Sequence, residues 1–310
     1  MILNTIFSSQ RDAYGEALLE LAKKNERVLA LTADLASSTR VEKFARLFPE
    51  RFFNIGVAEQ NAVAIAAGLA LEGFIPFLSS FAVFLPGRCF DQIRVSVCQN
   101  GANVKLVGSH LGFSNSGDGS SAQSVADIAL MRALPGMVVL SPVDANEAEG
   151  AVLAMASYRG PVYLRLSKSE TPILTKKGKE FKIGQATILR PGEKLTMVGS
   201  GPILAKALAV ADALRAEVIN CATVKPLDGE TILCSAKKTG RVLILEEHSV
   251  FGGLGAAVTE LLSQEYPVPT KLMGIPDVFG ESAREPEELY QKYGLTEEGI
   301  KREGEKLIKK

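Results

Sequence analysis

The sequence predicts an α/β fold built from two three-layer α/β/α domains. The first has a mostly parallel sheet and the second a smaller sheet of its own. Three observations carry this. Strand-like and helix-like segments alternate from end to end, as they do when helices cover both faces of a parallel sheet. The chain has 310 residues, enough for two cores of ordinary size. The apolar rhythm breaks once, at the charged stretch KSETPILTKKGKEFK from Lys168 to Lys182, and then resumes. The boundaries expected are a first domain over 1–167, a linker over 168–184 and a second domain over 185–310.

The elements follow in order. Arg11 to Lys24 reads as an amphipathic helix, and RVLALTA, from Arg27 to Ala33, as a buried strand. NAVAIAAGLAL is a helix whose small residues permit close packing. FIPFLSSF is a strand, and LPGRCFDQIRVSVCQ is a helix opening with Pro86. NVKLVGS is a strand that runs into a glycine- and serine-rich loop, HLGFSNSGDGSSAQS. VADIALMRAL is helical, GMVVLSP is a strand, DANEAEGAVLAMAS is a helix capped by Asp144, and PVYLRLS is a strand. In the second unit KLTMVGSG, AEVINCA, RVLILEE and VPTKLMGI read as strands. ILAKALAVADALR, GETILCSAKK and GGLGAAVTELLSQ read as helices, and EEGIKREGEKLIKK as a helix fraying into a charged tail. No repeat of fixed period occurs.

Composition narrows the function classes. Thirty-five basic and 35 acidic residues sum to zero, which does not suit a protein whose main task is binding nucleic acid. Trp is absent, so an aromatic surface platform is not expected. The four cysteines, Cys89, Cys98, Cys221 and Cys234, form no close pair, and only His110 and His248 could join them. That argues against a structural zinc site and for buried thiols in a reducing compartment. The N-terminus lacks a basic region followed by a long apolar core, and no run of apolar residues is long enough for a membrane span. The expected location is the cytoplasm.

Neither unit has a GxGxxG turn in the right place. VGSGPILAKAL, from Val198 to Leu208, has a strand, two glycines and a helix start that could hold an anion, but such a turn also simply ends a parallel strand. Glu59 stands just before the small-residue helix, where an acid either favours the helix dipole or serves chemistry. Asp34 lies at a strand end, where sites gather in α/β sheets. His110 follows a strand and precedes a polar loop.

Taken together, RDAYGEAL, LTADLASST, NIGVAEQNAVAIAAG, SSFAVF, FDQIR, SH followed by GDG, and ALPGMVVLSPVDANE resemble the pyrimidine-binding domain of the transketolase family. EEHSVFGGLG in the second unit resembles that family's C-terminal domain. The resemblance covers nearly the whole chain and implies thiamine diphosphate as cofactor, with magnesium or calcium. It implies that the diphosphate and metal are held by a separate N-terminal subunit, so that no metal ligand falls on this chain. The expected particle is an α2β2 assembly, in which this chain is the C-terminal subunit of a split transketolase. GDG at Gly117–Gly119, followed later by Asn146, mimics a diphosphate motif. The resemblance assigns it instead to the substrate channel.

The same resemblance implies roles for single residues. Glu59 would meet the cofactor's pyrimidine nitrogen and promote its proton transfer, as a catalytic residue. Phe84 would stack on the aminopyrimidine, Phe81 would line the same pocket, and Asp34 and Leu35 would approach the cofactor. His110 would contact the substrate's first hydroxyls and carbonyl end, the second catalytic role. Asp118 would read a sugar hydroxyl, and Arg11 and Lys168 would meet the substrate phosphate. Lys168 stands in place of an arginine and keeps the charge without the fork. Glu246, Glu247 and His248 would be structural or communicating residues near a subunit interface.

The chain departs from the family wording at GDGSSAQS. Ala122 holds the place of a substrate-binding histidine. That points away from the usual sugar-phosphate donor and towards a different sugar, non-phosphorylated or branched. Three other readings stay open on the sequence: the beta subunit of a 2-oxo acid dehydrogenase, a 1-deoxyxylulose-5-phosphate synthase, and a non-catalytic assembly subunit.

Overall fold

A computed structural model describes residues 6–309. The larger sheet has seven strands in the order Thr223–Lys225, Val138–Leu140, Val162–Leu166, Lys105–Ser109, Ile75–Phe81, Val28–Thr32 and Phe52–Asn54. All neighbours are parallel except Thr223–Lys225, an antiparallel edge strand contributed by the second half of the chain. The second sheet runs Thr270–Ile275, Val242–Ser249, Leu195–Gly199, Ala216–Asn220 and Thr187–Arg190, with only the last antiparallel. A two-residue pair, Phe7–Ser8 with Thr171–Pro172, ties the start of the chain to the linker.

The central strands Val28–Thr32, Lys105–Ser109 and Val162–Leu166 are buried at every position, as a doubly covered parallel sheet requires. One face packs on the helices Gln10–Lys24 and Ala145–Ser157 through Tyr14, Leu18, Ala148, Val152 and Met155. The other packs on the helix Glu59–Leu71 through Ala62, Val63, Ala66 and Ala67. This second core continues into the other half through Val198, Ile219, Val224 and Leu254, so the two sheets share buried apolar surface. The cap read at Asp144 is present, and Ser9 adds a second. Ser9 accepts from the Asp12 N–H, and Asp144 Oδ1 from the Glu147 N–H. Asp144 Oδ2 also accepts from the N–H groups of Leu174 and Thr175, both at 2.6 Å, so one carboxylate caps a helix and pins the linker.

Four sequence expectations change. LPGRCFDQIRVSVCQ is not one helix but Phe84–Arg88, Phe90–Gln92 and a π-helical turn, Ile93–Cys98. The first of these begins before Pro86, which sits within the first turn, where no N–H is needed. The C-terminal helix, Glu297–Lys309, docks close to its end: Leu307 is buried and Arg241 Nη1 donates to the carbonyls of Leu307 and Ile308. Short strands such as Phe52–Asn54, Thr187–Arg190 and Thr223–Lys225 were not visible in the apolar pattern. The short helices Glu42–Leu47 and Pro286–Lys292 were missed for the same reason.

A buried polar network joins the two halves. Arg165, on the strand Val162–Leu166, donates Nε to Asp127 Oδ2 at 2.7 Å and Nη2 to Asp127 Oδ1 at 3.0 Å. Both side chains are almost fully buried. Tyr163 Oη donates to the same carboxylate, and Arg165 Nη2 reaches the carbonyl of Glu247 across the domain boundary at 3.2 Å. Burial works against the Asp127 charge, but Arg165 and the hydrogen bonds outweigh it and hold this carboxyl below its usual range. His248 is pinned as a neutral ring. Its Nδ1 donates to the Ser249 carbonyl and its Nε2 accepts from the Ala129 N–H, and burial lowers its pKa. Glu247 accepts from the Phe113 N–H, and Glu246 caps the helix Leu254–Glu265 through the N–H groups of Leu254 and Gly255. Burial pushes both of these glutamates up to about 7.

Two outcomes follow from the network. Asp127→Ala leaves the Arg165 guanidinium buried and unpaired, and should lower the unfolding free energy by about 3–5 kcal/mol in a denaturant titration. Glu247 has a folded pKa raised above its unfolded value near 4.5, so its contribution is complete at low pH and is lost as pH rises towards 7. The lowered pKa of His248 and that of His110 act in the opposite direction, costing stability as pH falls below 6.5. The Glu247 part is isolated by comparison with Glu247→Gln. The melting temperature of the wild type should fall relative to that variant between about pH 5 and about pH 8.

Candidate functional site

The residues singled out in the sequence lie at the carboxyl edge of the larger sheet, where each parallel strand hands over to its loop. The strand Val28–Thr32 leads to Asp34, Leu35 and Arg40; Phe52–Asn54 leads to Glu59. Ile75–Phe81 leads to Phe84, Lys105–Ser109 to His110, and Val162–Leu166 to Lys168. Two of these residues have left-handed backbones, Asp34 at φ 61° and His110 at φ 67°, and Arg40 joins them at φ 65°. Such conformations cost a non-glycine residue energy, and they cluster where a chain must turn sharply to present a side chain.

Glu59 is the first residue of its helix and is 2% exposed. The sequence suggested a carboxyl group among apolar neighbours. The structure gives it a cation as well: Arg88 Nη1 donates to Glu59 Oε2 at 2.7 Å. Among the described residues no side chain or backbone N–H donates to Oε1. The Arg88 guanidinium lies over the Phe84 ring, 4.7 Å from its centroid. Phe84 stacks with Phe81 at 5.6 Å, and Phe81 stacks with the His110 ring at 3.8 Å. Glu59, Arg88, Phe84, Phe81 and His110 therefore form one unbroken chain of contacts. Sequence reasoning missed Arg88, although it sits one helical turn after Phe84 and so on the same face.

His110 is buried, with Nδ1 2.8 Å from Ser109 Oγ. Burial, together with the charges of Arg11, Lys168 and Arg40, pushes its pKa down to about 3, so the ring is neutral at physiological pH. Those three cations are the second feature of the site. Arg11 donates Nη1 to the Ser38 carbonyl and Nη2 to the Lys168 carbonyl, both at 2.9 Å, and its buried Nε has no partner among the described residues. Lys168 Nζ donates to Asn115 Oδ1 at 2.8 Å. Arg40 pairs with Asp12 at 2.6 Å, leaving two net positive charges among these four groups. Arg40 was not foreseen, because nothing in the string TADLASSTR shows that the loop turns it back towards Arg11.

Asp34 exchanges two hydrogen bonds with Asn54, at 2.9 and 3.1 Å, which fixes the first loop against its neighbour. Leu35 is half-buried beside it. Asp118 is exposed at the tip of the glycine loop and makes no side-chain hydrogen bond among the described residues. The second half of the chain holds that loop down. Gln123 Nε2 donates to the Glu281 carbonyl at 2.8 Å, and the Ala283 N–H to the Ser116 carbonyl at 3.1 Å. Ala122 is buried beneath it. Asn146 donates to the Thr175 carbonyl on the linker, so it does not pair with the GDG turn. Among the described residues no group of three or more His, Cys, Asp or Glu is placed to hold a metal ion, and no helix is long and apolar enough to cross a membrane. A cleft of about 820 Å³ opens between the two halves along Thr171, Pro202, Ile203 and Tyr290, but neither Glu59, Phe84 nor His110 lines it.

Comparison with known proteins identifies both domains. Residues 8–173 match the family model of the transketolase pyrimidine-binding domain, and residues 184–300 that of the transketolase C-terminal domain. A chain of Methanocaldococcus jannaschii named as a transketolase C-terminal section is 43% identical over 307 residues, covering 96% of each chain. A 6-deoxy-6-sulfo-D-fructose transketolase subunit of Clostridium is 41% identical, over 94% of this chain and 92% of that one. Among solved structures, a split-gene transketolase described as an inactive β4 tetramer superposes with a TM-score of 0.90 at 45% identity, covering 97% of this chain and 98% of that one. The chain thus belongs to the transketolase family and has the pyrimidine-binding and C-terminal domains found in its split C-terminal subunits.

Proposed function

We propose that this chain is the C-terminal subunit of a thiamine-diphosphate-dependent transketolase that moves a two-carbon ketol unit from a ketose to an aldose. The carrying observation is the contact chain from Glu59 to His110: a buried carboxylate, an aromatic face and a neutral imidazole in one row at the carboxyl edge of the sheet. The residues fit the pyrimidine half of the cofactor. Glu59 Oε1 is free to meet a ring nitrogen, and Phe84 offers a stacking surface. When bound, thiamine diphosphate supplies the nucleophilic carbon that takes the ketol unit. A partner N-terminal subunit supplies the diphosphate and metal site, in an α2β2 particle. That a β-only relative is described as inactive supports this division.

This chain's own groups do the rest. Glu59 holds and moves a proton at the pyrimidine nitrogen. His110, kept neutral, presents one ring nitrogen as donor or acceptor to the hydroxyl and carbonyl end of the sugar. Arg11, Arg40 and Lys168 face the far end of the substrate. With Asp12 paired to Arg40, their net double positive charge suits a sugar that ends in an oxyanion. The Clostridium relative, named for a sulfonated sugar, lends support to an oxyanion other than phosphate. Asp118 reads a hydroxyl between the two ends.

The direct test is ketol transfer by the complex reconstituted with the N-terminal partner, thiamine diphosphate and magnesium. Glu59→Gln should lower the turnover number by roughly 10²–10⁴-fold, the usual worth of a positioned acid–base group. A wild-type rate in that variant would end the proposal. The neutral state of His110 is checked separately. NMR of the His110 imidazole carbons, assigned against His110→Asn, should show no titration midpoint between about pH 5.5 and about pH 8.

A further inference from the structure

Arg88 has no assigned role, yet it touches two of the residues that do. Its Nη1 holds Glu59 Oε2 at 2.7 Å, and its guanidinium carbon stands 4.7 Å from the centre of the Phe84 ring. Its backbone is fixed, because Gln60 Nε2 donates to the Arg88 carbonyl at 2.9 Å. Its side chain is 45% exposed, against 2% for Glu59. The anchor is therefore rigid and the fork is open to solvent on one side. A guanidinium is flat, weakly hydrated and at home on an aromatic face. It offers an N–H edge to a carboxylate and a plane to a ring. An aminopyrimidine presents the same two features. A pyrimidine that stacks on the Phe84 face under the guanidinium meets Arg88 there, while Glu59 Oε1 stays open to it.

We propose that Arg88 is a movable cover on the pyrimidine slot. It stands in for the cofactor ring in the empty chain and swings off Phe84 when the ring enters. This rests on the reading of Glu59 and Phe84 as the pyrimidine contacts. The cover has a physical purpose: without it the empty slot would leave the Glu59 carboxylate buried beside an uncovered aromatic face. It also has a kinetic consequence. Guanidinium and pyrimidine compete for one face, so association is slowed by the fraction of time the slot is covered.

The experiment measures association of thiamine diphosphate, in magnesium, with the complex reconstituted from the full chain and its N-terminal partner. Stopped-flow near-ultraviolet circular dichroism follows the bound cofactor. Arg88→Ala should raise the association rate constant about tenfold, and Arg88→Lys, which keeps the charge but lacks the flat fork, by less. If Arg88→Ala fails to fold, Arg88→Lys alone carries the comparison, with the melting temperature of the isolated chain as the check on its fold. Association unchanged or slower in the folded variants, while Glu59→Gln still cripples turnover, overturns the cover and leaves the Glu59 reading standing. If Glu59→Gln and Phe84→Ala both keep wild-type association and turnover, the underlying reading falls instead.

Discussion

The two halves of this molecule, besides sharing apolar surface, meet at one buried ion pair. Asp127 and Arg165 meet bidentately in the interior, and Arg165 extends the contact to the Glu247 carbonyl of the second half. A single charge of either sign would be intolerable there, so the pair fixes its own geometry. Around it the polar groups are spoken for: Tyr163 donates to Asp127, His248 is held as a neutral ring, and Glu247 holds the Phe113 N–H. Phe113 lies within the long loop that begins at His110. The second half therefore does more than add mass. Through Glu247, Gln123 and Ala283 it sets the loop on which His110 and Asp118 stand.

The other constraint is the parallel sheet. Its strands deliver Asp34, Glu59, Phe84, His110 and Lys168 to one edge, although they are far apart in sequence. Backbone amides and strand ends converge there, and the left-handed turns at Asp34, Arg40 and His110 aim side chains that an ordinary turn would point elsewhere. The edge carries two unlike surfaces. One, around Glu59 and Phe84, is flat, aromatic and acidic, and suits a heteroaromatic ring. The other, around Arg11, Arg40 and Lys168, is cationic and suits an anion. His110 stands between them, in ring contact with the first and under the charge of the second.

Much of this was legible in the sequence. Buried parallel strands are mostly apolar runs, so VLALT announces itself, and KLVGS and VYLRL stay legible although each buries a cation, Lys105 and Arg165. The cap at Asp144 follows from side-chain chemistry. The short strands were not legible, because three or four residues hold no period. Nor was the helix break after Arg88, which depends on packing rather than propensity. For the site, the family wording pointed to Glu59, Phe84 and His110, and these are in fact brought into one row. Their cations were harder to read. Arg88 and Arg40 look like surface charges in the string. What they touch is decided by a helical turn in one case and by a left-handed backbone in the other. Ala122, where the family has a histidine, suggested a different sugar, non-phosphorylated or branched. The cationic cluster at Arg11, Arg40 and Lys168 adds that an anionic terminal group would be well placed there.

The account turns on the side chain of Glu59 meeting a pyrimidine ring in a cleft that a second chain completes. A crystal structure of the two-subunit complex with thiamine diphosphate and magnesium measures this directly. The account requires a Glu59 carboxylate oxygen within hydrogen-bond distance of the pyrimidine nitrogen, with Phe84 against the ring and the diphosphate on the other polypeptide. A pyrimidine bound elsewhere, or a Glu59 side chain remote from every intersubunit surface, would contradict it.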